Sequence, residues 1–178
     1  MAGLKSEIAQ GRPFSSTEEE AFLNLMRTTD CLQRNFQRRI REWGITSTQY
    51  NVLRILRGAL PQGLTCSAIG DRMITAEPDI TRLLARMKTL KLIKQQRDRH
   101  DRRVVWTQIS AAGLELLGKM DAEITEIPKE LLGHLNGKDL GELIRLLEVA
   151  RKNCVDKQMP VSCDGERCDL PDVTNESR

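Results

Sequence analysis

Aromatic residues are scarce, with three phenylalanines, two tryptophans and one tyrosine in 178 residues, so a core has to be built from Leu, Ile, Val and Met. No stretch approaches the eighteen or so uncharged apolar residues of a membrane span. The opening residues, which include Lys5, Glu7 and Arg12, lack the apolar run of a secretion signal. A soluble, cytoplasmic protein with no membrane partner is therefore expected. The two histidines, His100 and His134, belong to no metal-ligand or nucleophile spacing, and no glycine-rich phosphate loop occurs. Neither an enzyme nor a metal site nor a cofactor is expected. Five cysteines, an odd number with no secretion signal, argue for reduced thiols over a disulfide framework.

What is present is helical periodicity. The length fits one domain, with or without an extension. Residues 1–14 show no period and are expected to form a mobile arm. Ser15, Ser16 and Thr17 each precede a glutamate by three residues, offering a capped start in three registers. Phe22, Leu25, Thr29, Leu32, Phe36, Ile40 and Trp43 then recur at three- and four-residue steps, as on one long amphipathic helix ended by Gly44. Thr46 and Gln49 form a capping box for a second helix with Val52, Leu53, Leu56 and Leu60 inward, broken by Pro61 and Gly63.

A third, short helix starts at Thr65 and runs to Met73. A fourth opens near Pro78 and is apolar at Ile80, Leu83, Leu84, Met87 and Leu90. Two β-like runs, 93–97 and 103–109, flank the loop Asp98-Arg99-His100-Asp101-Arg102 and predict a hairpin. Ser110 can cap a fifth helix with Leu114, Leu117, Ile124 and Ile127, which Pro128 should kink or interrupt. A sixth follows Asn136, with Leu140, Leu143, Ile144 and Leu147 on one stripe. From residue 154 to 178 the chain reads as a disordered acidic tail.

Charge is distributed unevenly. Arg82 to Arg103 carries nine Lys or Arg against Asp98 and Asp101, whereas the whole chain has a net charge of only +3. A stretch at +7 in a chain otherwise at −4 fits a polyanionic partner, because phosphates neutralised by Lys or Arg release condensed counterions. A solvated basic helix face is the alternative for charge alone.

Three pieces of this stretch, in this order and spacing, resemble the MarR-type winged helix-turn-helix transcriptional regulators. They are Ile45-Thr46-Ser47-Thr48-Gln49, then Ile80-Thr81-Arg82-Leu83-Leu84 with Leu92-Ile93, then Asp98-x-x-Asp101-Arg102-Arg103 leading to Ile109-Ser110-x-x-Gly113. Ile69-Gly70 stands where the family usually has Leu-Ala, and Lys91 where it usually has Gly. The resemblance implies a mainly α fold with a small β-hairpin wing: a winged helix-turn-helix module over 46–110, and dimerisation helices over 15–44 and 110–153. It further implies a homodimeric repressor of double-stranded DNA with a pseudopalindromic operator, two recognition helices entering adjacent major-groove segments.

Within that expectation Thr81, Arg82 and Arg86 are the recognition-helix contacts, joined by Thr65, Ser67 and Asp79. Arginine suits the work because its planar fork binds guanine O6 and N7, or a phosphate, bidentately. Glu77 and Asp79 would favour the helix dipole, but facing DNA they repel phosphate unless they accept from cytosine N4. In the wing, Arg99, Arg102 and Arg103 are candidates for the minor groove and backbone. Asp98 and Asp101 stabilise the tip, with an Asp101–Arg103 ion pair implied by the family pattern. Trp106 is expected to pack against the helices.

Such repressors are often released by a small aromatic ligand. Phe36, Ile40 and Trp43, with Arg39 or Arg41 as carboxylate partner, are the place to look, and they serve equally well as interface and core. Peroxide-sensing members carry a reactive cysteine at a place that falls here at Leu23. Cys31 is therefore read as a packing residue. Cys66, in a helical first turn, and the trio Cys154, Cys163 and Cys168 leave a redox or metal reading open. A thiol-based sensor and a winged-helix module that binds only proteins are the competing functions.

Overall fold

The computed structural model describes residues 3–155. Its elements in chain order are α1 (Leu4–Glu7), α2 (Thr17–Glu42), α3 (Ser47–Gly58), α4 (Cys66–Gly70), α5 (Ile80–Thr89), β1 (Ile93–Arg97), β2 (Val105–Ile109), α6 (Ala111–Leu132) and α7 (Gly137–Val155). This is a mainly α fold with one antiparallel hairpin, as the periodicities predict. The tail residues from 156 onward, with Cys163 and Cys168, lie outside the described residues.

The caps explain most boundaries. Of the three registers offered at the start of α2, Ser16 is the one used, accepting from the Glu19 N–H at 3.2 Å. The Thr46–Gln49 capping box is complete, with both reciprocal bonds formed. Thr65 caps α4 and Ser110 caps α6. The start of α5 differs from expectation. Asp79, not Pro78, precedes its first turn, and Asp79 Oδ1 accepts from the Arg82 N–H at 2.9 Å. A carboxylate facing orphan first-turn donors satisfies one of them directly, which Pro cannot do.

Four other expectations are corrected. Residues 4–7 of the supposed arm form a helical turn whose Leu4 is buried; one turn is too short to show a period. Helix α4 ends at Gly70, with Arg72 and Met73 in following turns. Leu60 lies beyond the end of α3 and is exposed. Finally, α6 runs unbroken through Pro128 to Leu132, since losing one backbone bond near a helix end is tolerated when flanking residues such as Ile124 and Ile127 are buried.

One core joins these elements. Ile40 of α2, Val52, Leu53 and Leu56 of α3, Ile69 of α4, Leu84 and Met87 of α5, and Leu117 and Met120 of α6 are all fully buried within it. Two glycines permit close backbone approaches. At Gly63, which has φ +80°, a Cβ would stand 2.4 Å from the Thr107 carbonyl oxygen; at Gly113 one would stand 2.4 Å from that of Leu92. Beside Gly63, Leu64 and Thr107 exchange backbone hydrogen bonds at 2.9 and 2.8 Å. Lys91 adopts φ +58° just past α5, the left-handed position that glycine normally fills at a helix end.

The terminal helices are left bare. The described side chains of α7 include none that is buried, and Ile144 is 56% exposed. Phe22, Leu25 and Met26 in the first half of α2 are exposed as well.

Candidate nucleic-acid interface

Helix α5 divides cleanly into two faces. Ile80, Leu84 and Met87 are buried, while Thr81, Arg82, Ala85 and Arg86 are exposed. Helix α4 lies next to it, with the Cys66 sulfur 3.9 Å from the Thr81 hydroxyl. Ser67 is exposed; Thr65 is half-buried, and its hydroxyl accepts from the Ala68 N–H at 3.3 Å. Asp79 is committed through one oxygen to capping α5, which is the helix-stabilising role weighed for it from sequence.

In the hairpin Ile93 pairs with Ile109 and Gln96 with Trp106. The alternation buries Ile109 and Thr107 and turns Trp106 to the other face. Asp98 is the centre of the tip. Its carboxylate accepts from the His100 N–H at 2.8 Å, the Asp101 N–H at 3.1 Å and the Trp106 indole at 2.9 Å. These donors, the indole first, hold the Asp98 carboxyl below its ordinary range. Asp101 accepts from the backbone N–H of Arg103 at 2.9 Å. The expected Asp101–Arg103 side-chain ion pair is absent, and Trp106 is fixed to the tip instead of packing on the helices. Arg99, Arg102 and Arg103 are exposed. Among the described residues, none of the nine cations from Arg82 to Arg103 forms an ion pair.

The five residues considered for a ligand separate. Phe36 lines a cavity of about 490 Å³ between α2, α3, α6 and residues 74–75, together with Leu32, Tyr50, Arg54, Ile127 and Leu131. Ile40 is fully buried in the core. Arg39 and Trp43 turn to α6, where Arg39 meets Glu123 at 2.8 Å and Glu130 at 3.2 Å, and the Trp43 indole donates to Glu123 at 3.1 Å. Arg41 is exposed and does not line the cavity. The cation on the cavity wall is Arg54, 5.9 Å from the centre of the Tyr50 ring, a residue that sequence reasoning passed over. Its signal was its place on α3, one turn beyond Tyr50.

Cys31 is exposed on α2, so it does no packing within the single chain. Among the described residues no cluster of His, Cys, Asp or Glu is placed to hold a metal, and no helix is long and apolar enough to cross a membrane.

A MarR family model matches residues 43–104, which span α3 to the wing tip. The crystal structure of a MarR transcription factor from Planctomyces limnophilus shares 38% identity, covers 78% of this chain and 99% of its own, and superposes with a TM-score of 0.60. The chain belongs to the MarR family. The transcriptional regulator TtmR of Methylorubrum extorquens (strain PA1) is 28% identical over 159 residues, 83% of this chain and 78% of TtmR. Bordetella bronchiseptica BpsR, whose DNA binding is regulated by 6-hydroxynicotinic acid, shares the MarR fold at 23% identity and a TM-score of 0.65, over 74% of this chain and 98% of its own. In MarR terms α5 is the recognition helix and β1–β2 the wing.

Proposed function

We propose that this MarR-family regulator binds double-stranded DNA sequence-specifically, as a homodimer and as a repressor. The observation that carries the reading is the exposed, unpaired cationic surface formed by Thr81, Arg82 and Arg86 on α5 and by Arg99, Arg102 and Arg103 on the wing. Arg82 and Arg86, one helical turn apart, suit a major-groove edge, and the wing arginines suit the narrower groove beside it. Thr65 and Ser67 sit at the start of α4 to meet the backbone. The bare apolar stripes of α2 and α7 supply a surface for a second copy, which sets two such heads on a pseudopalindrome.

Selection of bound sequences from a random DNA pool at moderate salt tests this reading. The expected product is an inverted repeat with half-sites about one helical turn apart. Recovery of sequences with no common motif would leave a basic protein-binding module in its place. A reporter carrying the selected site across its promoter should be silenced by the protein; activation would reverse the repressor assignment.

The cavity supports release by a small aromatic anion, its apolar walls taking the ring and Arg54 the charge. Benzoate titrated into the DNA complex should weaken it in the wild type and less so in Arg54→Gln.

A further inference from the structure

The connection between α4 and α5, residues 71–79, carries the recognition helix yet has little hydrogen bonding of its own. Its first residues close turns onto α4, from the Arg72 N–H to the Ile69 carbonyl and from the Met73 N–H to that of Gly70. Met73 packs on the core, and Asp79 caps α5. Between these ends, among the described residues, one hydrogen bond reaches the connection from elsewhere in the fold. The Ile74 N–H donates to Asn51 Oδ1 of α3 at 3.3 Å. The side chain of Ile74 contributes no anchorage, being 81% exposed. Asn51 is half-buried on α3, between the capping box at its start and the fully buried Val52 and Leu53. A rigid element therefore holds a weakly tied one through a single amide. The same amide, with Ile74 and Thr75, forms part of the cavity wall, so an occupant that donates to Oδ1 competes with Ile74 for it.

We propose that Asn51 is a positioning residue for DNA recognition, fixing the 71–79 connection, and through it α5, by accepting from the Ile74 N–H. This rests on the DNA-binding reading above. Asn51 then acts on the angle at which Arg82 and Arg86 are presented, not on the charge of the surface. Its loss should lower discrimination between sequences while leaving the nonspecific, phosphate-driven affinity in place.

The test compares wild type, Asn51→Ala and Asn51→Asp on a selected site and on a scrambled duplex at one salt concentration. Asp keeps the acceptor oxygen, and taking the ratio of the two affinities cancels the added charge. Asn51→Ala should reduce that ratio about 2- to 10-fold, the worth of one neutral hydrogen bond, with the scrambled affinity unchanged, and should speed exchange of the Ile74 amide proton. Asn51→Asp should restore both. An unchanged ratio in Asn51→Ala, or equal losses in the two variants, overturns the proposal. Should Asn51→Ala fail to fold, Ile74→Pro removes the donor from an exposed position, and the ratio must fall in the same way. A wild type that selects no site defeats the DNA-binding reading instead, which separates the two failures.

Discussion

Charge is handled in opposite ways in two parts of the molecule. On α2, α3, α6 and α7 cations are repeatedly matched: Arg34 to Asp30, Arg39 to Glu123 and Glu130, Arg57 to Asp121, Lys119 to Glu115, Lys129 to Glu126 and Arg145 to Glu142. On α5 and the wing the cations are left unmatched, and the two acids there, Asp98 and Asp101, accept from N–H groups instead. Exposed pairs of the first kind contribute little to stability. Their effect is to cancel local field, so that the field of the molecule is concentrated where cancellation is withheld. The acids of the wing are thereby prevented from neutralising its arginines while they still order its backbone.

The largest effect should come from the helical part. Replacing Leu143 and Leu147 by Glu places two charges on the bare stripe of α7 and should give monomers in sedimentation, with operator binding lost in parallel. A dimer that survives this change would remove the terminal helices from the interface. Next comes the reading head. Arg82→Ala should cost about 1–3 kcal/mol on a selected site and relax preference at one position per half-site; equal losses on scrambled DNA would make Arg82 a phosphate contact.

Arg99→Ala should instead weaken all sequences alike and reduce the magnitude of the salt slope by about one. If the slope does not move, the wing has no part in the contact. Smaller again is Lys91→Gly, which relieves the left-handed backbone after α5 and should raise stability by about 0.5–1 kcal/mol in denaturant melts. The smallest concerns pairing itself. The Arg39 guanidinium, aided by the Trp43 indole, holds the Glu123 carboxyl below its ordinary value, so its contribution is present above the ordinary carboxylate pKa and is lost as pH falls through the lowered one. Glu123→Gln should therefore melt below wild type at neutral pH, and the gap should close in acid; a gap that is constant with pH would assign it to packing.

The caps at Thr46, Thr65 and Ser110 were legible because a side chain and its backbone partner lie three residues apart, within one local rule. The face that a helix turns to its neighbour was less so. Phe36 and Ile40 lie one turn apart, as do Arg39 and Trp43, and the sequence shows both pairs without showing that α6 arrives opposite the second with Glu123. For that reason a ligand site drawn around Arg39 and Trp43 had its cation on the wrong helix. The wing tip misled in a similar way: charge complementarity implied Asp101 with Arg103, but the backbone N–H groups of so tight a turn are closer to hand. Tyr50 and Phe36, packed edge to face at 5.8 Å, form a cavity wall from helices whose separation in space no local pattern records.

The bridge between Leu64 and Thr107, possible only because Gly63 lets the strands touch, sews the segment leading into the helix pair directly to the hairpin. Helix and wing are thus held as one calliper of fixed opening. On the proposed reading, an operator must offer its read bases and its flanking narrow groove at one set offset. Inserting a single base pair between them, which shifts the second by about 3.4 Å along the axis and turns it about the duplex, should be less tolerable than changing either sequence.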